Sequence, residues 1–380
     1  MYDEWSTKLR DRERKEWGGM RPISAKTAAA CAAGVVMLIS LLGLAGTARA
    51  QVATCVGLEE RVATIVGTEG DDVIVGTSGD DVIQALGGND QIDGGDGNDL
   101  ICGGAGDDII YGGAGDDDLE GDSLIGTDGN DVVKGGDDSI HGGPGIDDMD
   151  GDLLIGLAGN DILIGGDDVL DPGEDGAGPF LLPSGDVLDG GAGNDILIGG
   201  HDVIVAGPGD DAGVGDGLFG GAGNDILKGG DDTLGGGDGA DFLLGDYIFG
   251  GPGNDLLKGG DDTIDGGPGD NFVVGDTMRG EEGNDLIISG DDTIATGSGS
   301  DELRGDGIGG GPGNDLARLG DDFLSAGGGD DILRGDFMAD VLEQVRGGDD
   351  SLDCGAGDDF ADGGPGFDTA AGCETTVNVP

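Results

Sequence analysis

The chain has 380 residues, 91 of them glycine, and a formal net charge of −63 at pH 7. Residues 1–50 hold eight of the 17 basic and five of the 80 acidic residues, so the remainder carries 9 − 75 = −66. Such a chain repels itself and excludes polyanionic partners such as nucleic acid. Divalent cations are its natural partners.

The first 19 residues, MYDEWSTKLRDRERKEWGG, are highly charged and resemble no export signal. From Met20 the pattern changes. A basic segment, MRPISAK, precedes an apolar run from Thr27 to Gly46, and Ala48-Arg49-Ala50 fits the small-x-small pattern of a signal cleavage site. Residues 1–50 therefore read as a leader, with translation starting at Met20 and cleavage after Ala50. An uncleaved anchor is the competing reading, since about 20 apolar residues can cross a bilayer. Lipidation at Cys55 is a third, against which stands the poor match of Val52-Ala53-Thr54. All three place the rest of the chain outside the cytoplasm, secreted or on the cell surface. Both tryptophans, Trp5 and Trp17, lie in the leader. The chain beyond residue 50 can build only a thin aliphatic core, which metal must reinforce.

After a short segment (51–66), residues 67–121 divide into nines: GTEGDDVIV, GTSGDDVIQ, ALGGNDQID, GGDGNDLIC, GGAGDDIIY, GGAGDDDLE. Gly recurs from Gly70 to Gly115, Asp two places later, and an aliphatic residue two places after that: Ile74, Ile83, Ile92, Ile101, Ile110, Leu119. This G-G-x-G-x-D-x-U-x pattern, with U aliphatic, resembles the RTX, or haemolysin-type, calcium-binding repeat family. The resemblance implies an all-β fold, a right-handed parallel β-roll or β-helix solenoid. Each six-residue turn would hold half a calcium site, and each x-U-x triplet would be a short strand. The chemistry agrees. Ca²⁺ takes six to eight oxygens, here from carboxylates and turn carbonyls. Carboxylates stacked at about 4.8 Å repel unless a cation lies between them.

In residues 122–371 a longer period takes over. GND aspartates (Asp131, Asp161, Asp195, Asp225, Asp255, Asp285, Asp315) lie 30 apart, with one step of 34. Seven residues later come GDD aspartates, Asp138 to Asp322. Nine further on stand Asp147, Asp211, Asp241, Asn271, Asp301 and Asp331, then after five more the GD aspartates, Asp152 to Asp336. Removing three-residue strands leaves turns of four, six, two and six residues, so full calcium turns alternate with short ones. This predicts one long calcium ladder along a single edge, with a short ladder opposite it near the N-terminal end, reappearing at Gly363–Asp368. The expected metal ligands are Asp72, Asp81, Asp90, Asp99, Asp108, Asp117, Asp131, Asp147, Asp161, Asp195, Asp211, Asp225, Asp241, Asp255, Asp285, Asp301, Asp315, Asp331, Asp359 and Asp368. The short turns also present an Asp at every rung, where weaker cation or water sites are expected. They depart from the family pattern.

Two places break the period. Pro172–Ser184 reads as an outward loop, and Phe337–Arg346 (FMADVLEQVR) as a helix-like cap or docking lip. Residues 372–380 form a polar tail. Of the five cysteines, Cys31 lies in the leader. Proximity suggests pairing Cys354 with Cys373 and Cys55 with Cys102, although four cysteines allow three pairings.

No catalytic constellation emerges. His141 and His201 sit in or beside short turns, nothing matches HExxH, and the acidic pairs recur at every repeat where a catalytic site should be singular. Lys134, Lys228 and Lys258 share one outward strand position. Apolar pairs flank the core residue in several strands (Ile162/Ile164, Ile196/Ile198, Phe242/Leu244, Phe272/Val274, Leu286/Ile288). They form either an exposed stripe for self-association, cell-wall or glycan contact, or half-buried surface. The sequence thus reads as an exported calcium-binding repeat protein with a structural or adhesive role and multiple Ca²⁺. The alternative is a polysaccharide-modifying enzyme or glycan-binding module.

Overall fold

The computed structural model describes residues 62–126, 129–173, 183–312, 314–338 and 344–379. The leader, Cys55, and the centres of the two irregular segments, 174–182 and 339–343, lie outside the described residues. Among the described residues no helix is long and apolar enough to cross a membrane.

The x-U-x triplets are strands, and every pairing is parallel. In the nonapeptide array one coil takes 18 residues, so Ile83 lies beside Ile101 and Ile92 beside Ile110. These coils have two sheets, with alternate repeats on opposite sides and the U residue pointing inward. Ile83, Ile92, Ile101 and Ile110 are fully buried.

From residue 118 to the strand at Gln344–Arg346 a coil takes about 30 residues and has a third sheet, and the last coil returns to the shorter form, with Ser351 beside Thr369. Among the described residues the strands form a 13-stranded sheet, a facing 12-stranded sheet, and an 8-stranded sheet that begins at Val132–Lys134. The change comes from one side of the coil. In the 13-stranded sheet the strands lengthen to eight residues, as in Phe242–Phe249 and Phe272–Arg279. Each long strand faces two short ones. Its first half packs Leu243 and Val273 against Ile264 and Ile294 of the 12-stranded sheet. Its second half packs Ile248 and Met278 against Leu257 and Ile287 of the 8-stranded sheet. Two narrow aliphatic cores therefore run side by side.

The GD pair in mid-strand explains how one strand serves both. Pairing with the next coil runs from Phe242 to Leu244 and from Asp246 to Phe249 in one register, and Gly245 takes no part in it. Repeated in every coil, this break acts on the side chains as a β-bulge would, without a change of register. It shifts the in–out alternation by one, so Leu243, Asp246 and Ile248 all turn inward. The two residues predicted as a short turn are thus continuous strand, and they sit in the interior.

The ends are finished by the chain itself. Thr375–Val377 adds a last strand beside Phe360–Asp362. The Cys354–Cys373 disulfide spans a Cα–Cα distance of 5.2 Å and clamps the last coil, as expected. Cys102 is also disulfide-bonded; its expected partner, Cys55, lies outside the described residues. The segment read as helix-like begins and ends in strands. Phe337 and Met338 complete Ile332–Met338, and Gln344–Arg346 pairs with Leu316–Arg318.

Candidate calcium ladders

Each six-residue turn brings its aspartate to the same place in every coil. Glycine permits this by close approach and by conformation. Gly115 has φ +148°, and a Cβ there would lie 1.8 Å from the carbonyl oxygen of Gly97 in the coil below. The aspartate then folds back under the strand beyond it. Its Oδ1 accepts the backbone N–H of the equivalent aspartate one coil earlier, as Asp99 does from Asp81; the Oδ2 of Asp81 accepts from Thr77 N at 2.7 Å, whereas that of Asp99 is left over.

Three such files run through the described residues. The first runs through Asp81, Asp99, Asp117 and Asp147 (N···Oδ1 2.8–2.9 Å) and resumes through Asp211, Asp241, Asn271, Asp301, Asp331 and Asp359 (2.8–2.9 Å). Glu374 closes it, its Oε2 accepting from Asp359 N at 2.9 Å. The second joins Asp131, Asp161, Asp195, Asp225, Asp255, Asp285 and Asp315 (2.7–3.0 Å). The third begins in the full turns of Asp72, Asp90 and Asp108, passes into the GGDD turns at Asp138, and continues through Asp350 to the full turn at Asp368.

This corrects one expectation. GND aspartates stack only on GND aspartates, and those of the other full-turn set only on their own kind. There are consequently two long full-turn ladders on separate edges instead of one. The reason is the 30-residue coil, which passes each kind of turn once where an 18-residue coil would have alternated them. The expected early file of full turns, and its return at Asp368, are as anticipated.

The leftover oxygens give the site its character. In the full-turn ladders, Oδ2 of Asp99, Asp117, Asp241, Asp301 and Asp331, and of Asp161, Asp195, Asp225, Asp255 and Asp285, is buried without a hydrogen-bond partner. Leaving a buried carboxylate oxygen unpaired is costly. Desolvation pushes the Asp225 and Asp285 carboxyls up to about 6 and that of Asp241 up to about 7. Oxygen-rich, anionic and repeated at every rung, these positions suit a hard divalent cation. Asn271 is the exception: its Nδ2 donates to the Gly267 carbonyl at 2.9 Å, so no free anionic oxygen faces that rung.

The short turns meet face to face in the interior. The GD aspartate accepts, through Oδ2, the N–H of the second glycine of a GGDD turn, as Asp246 does from Gly260 at 2.8 Å. Groups of three carboxylates result, such as Asp216–Asp232–Asp246, with one ligand oxygen from each residue within 4.8 Å of the others. Burial first, then neighbouring carboxylates, raises Asp216, Asp246 and Asp276 far above the carboxylate range, and Asp122 to about 9.

A family model described as the RTX calcium-binding nonapeptide repeat matches residues 66–101, 103–123, 120–149, 148–175, 183–213, 214–243, 244–273, 274–303, 309–342 and 345–370. The chain belongs to this family. RTX repeats bind Ca²⁺, and the aspartate groups of this fold can hold several ions. No curated protein matches the chain.

Outside the ladders, the expected apolar stripe divides between two sheets. Ile162, Ile164, Ile196, Ile198, Leu286 and Ile288 lie half-buried on the 8-stranded sheet. Phe242, Leu244, Phe272 and Val274 lie on the 13-stranded sheet, where Leu244 and Val274 are buried in a small outer cluster with Val214. Phe242 and Phe272 stack at 5.3 Å, and the Arg304 guanidinium covers Phe272 at 4.8 Å. Arg304 and Arg334 both hold Glu302. Lys228 and Lys258 do stack at one position of the 8-stranded sheet, with Ile164 beside Lys134. An exposed asparagine file, Asn130 to Asn314, runs beside the second ladder, with Asn254 Nδ2 donating to Asn224 Oδ1 at 2.8 Å. Sequence reasoning missed this file, although the fixed N of GND was its signal. It also missed the Glu374 cap, which lies outside the motif.

Proposed function

We propose that this is an exported protein that stays unfolded where Ca²⁺ is scarce and folds on Ca²⁺ outside the cell, serving as a structural or adhesive surface element. The observation carrying the reading is the run of buried, unpartnered Asp oxygens repeated along the full-turn edges. A folded state with that many bare anions is unfavourable until a cation neutralises them, so ion binding supplies folding free energy. Extracellular modules of this kind work with weak sites, Kd about 10⁻⁴–10⁻³ M. Export is supported by the apolar Thr27–Gly46 run ending in Ala48-Arg49-Ala50, and by four cysteines beyond it suited to an oxidising compartment. A structural role is supported by the ladders themselves, whose carboxylates recur identically and single out no one rung for chemistry.

Far-UV circular dichroism during a Ca²⁺ titration, with Mg²⁺ as control, tests the reading. A cooperative coil-to-β transition with Ca²⁺ alone is expected. Full β structure in chelator at neutral pH would sink it.

A further inference from the structure

The RTX repeat accounts for the full turns, but not for the carboxylates between the two cores. From Asp122 to Asp276, GD and GGDD aspartates alternate along the molecular axis in five overlapping groups: Asp122–Asp138–Asp152, Asp152–Asp168–Asp186, Asp186–Asp202–Asp216, Asp216–Asp232–Asp246 and Asp246–Asp262–Asp276. All eleven residues are at most 2 % exposed. Each keeps one oxygen buried and unpartnered: Oδ1 for the GD residues, Oδ2 for the GGDD residues. The other oxygen is tied to backbone N–H, so the free ones are fixed in direction. For Asp246 the tie is Gly260 N, and for Asp262 it is Asp232 N at 2.8 Å. Main-chain carbonyls approach as well. A Cβ on Gly215 would lie 1.9 Å from Asp232 Oδ2 and 2.5 Å from the Gly245 carbonyl oxygen.

We propose that this seam is a third, interior column of divalent cations, one per repeat, which rests on the calcium reading above and adds ions that the nonapeptide turns do not account for. Charge balance selects the ion class. Each GD aspartate belongs to two groups, so each repeat contributes one GD and one GGDD carboxylate, a charge of −2. One divalent cation per repeat makes the column neutral. A monovalent ion leaves a buried negative charge at every rung, and a trivalent ion a positive one. The donors are all hard oxygens, and a spread of up to 4.8 Å fits Ca²⁺, whose opposite ligands stand about 5 Å apart. The column binds the 8-stranded sheet to the rest of the coil, because its groups bridge the mid-strand GD to the GGDD joint between the two short strands.

Two measurements decide the matter. The first counts bound Ca²⁺ per chain by elemental analysis for the wild type and for Asp186→Asn/Asp216→Asn/Asp246→Asn, a substitution that touches four of the five groups named above. A loss of about two ions is expected, because the middle groups, Asp186–Asp202–Asp216 and Asp216–Asp232–Asp246, keep a single carboxylate each, with the outer ladders still filled and β structure kept in Ca²⁺. An unchanged count overturns the inference. The second, which decides even if the variant fails to fold, is a crystal structure of the wild type grown in Ca²⁺. An ion between Asp216 Oδ1, Asp232 Oδ2 and Asp246 Oδ1 supports the column. Ions in the outer ladders with none in the seam overturn it and leave the calcium-folding reading standing. No ion in either place overturns both.

Discussion

At the scale of single residues, glycine and aspartate divide the work between space and charge. Gly245 has no positive φ, yet a Cβ there would lie 1.8 Å from Asp262 Oδ2 and 2.7 Å from the Gly275 carbonyl oxygen. It is glycine because the seam has no room. At Gly79, by contrast, a Cβ would meet nothing within 4 Å. Gly245→Ala should therefore destabilise the Ca²⁺-loaded fold by about 1–3 kcal/mol, the usual cost of overpacking, whereas Gly79→Ala should be nearly silent. Thermal unfolding in saturating Ca²⁺ compares the two, and equal midpoints would refute the space argument. Asn271 makes the complementary case for charge. It keeps the ladder hydrogen bonds of its neighbours, accepting from Asp241 N at 2.9 Å, but offers an amide where they offer a carboxylate oxygen. Asn271→Asp should add about one bound Ca²⁺ per chain and lower the Ca²⁺ concentration at the folding midpoint. Elemental analysis showing no gain would mean that this rung is not limited by charge.

At the scale of elements, the period is legible in the sequence and its folding only partly so. The nine-residue columns mark strands, turns and inward aliphatics from Ile74 to Leu119 because each position repeats with one chemical type. The 30-residue period is equally plain. The placement of Leu243, Gly245 and Asp246 on one strand is not, since the parity shift at Gly245 depends on pairing with the coils on either side. Without that bulge, GD has the length of a two-residue turn, one long strand divides into two short ones, and the coil has two sheets in place of three. The same parity shift separates the one predicted ladder from the two observed, and moves the short-turn aspartates from an edge to the interior. It also redistributes the apolar pairs. Leu244 and Ile288 occupy equivalent places in the sequence pattern but lie on different sheets, one buried in an outer cluster and one half-exposed.

At the scale of the whole molecule, stability is set by how the buried carboxylates are neutralised, and protons compete with cations for that role. The shifts point one way. Burial raises Asp225, Asp285 and Asp331 to about 6, Asp108 and Asp241 to about 7, and Asp216, Asp246 and Asp276 well beyond. In the absence of metal the folded chain thus binds more protons than the unfolded chain between the ordinary carboxylate range near 4 and the raised values. Stability then falls as pH rises across that window. The metal-free chain should consequently gain β structure as pH is lowered from 7 toward 4 in chelator, the reverse of ordinary acid unfolding. Calcium acts in the opposite sense. It requires the deprotonated ligands, so its binding should release protons and weaken as pH falls. Circular dichroism against pH, with chelator and with saturating Ca²⁺, should give two curves of opposite slope between pH 4 and 7. If the chelator curve is flat, the carboxylates are not what keeps the metal-free chain open, and the thin aliphatic cores must be judged too weak on their own account.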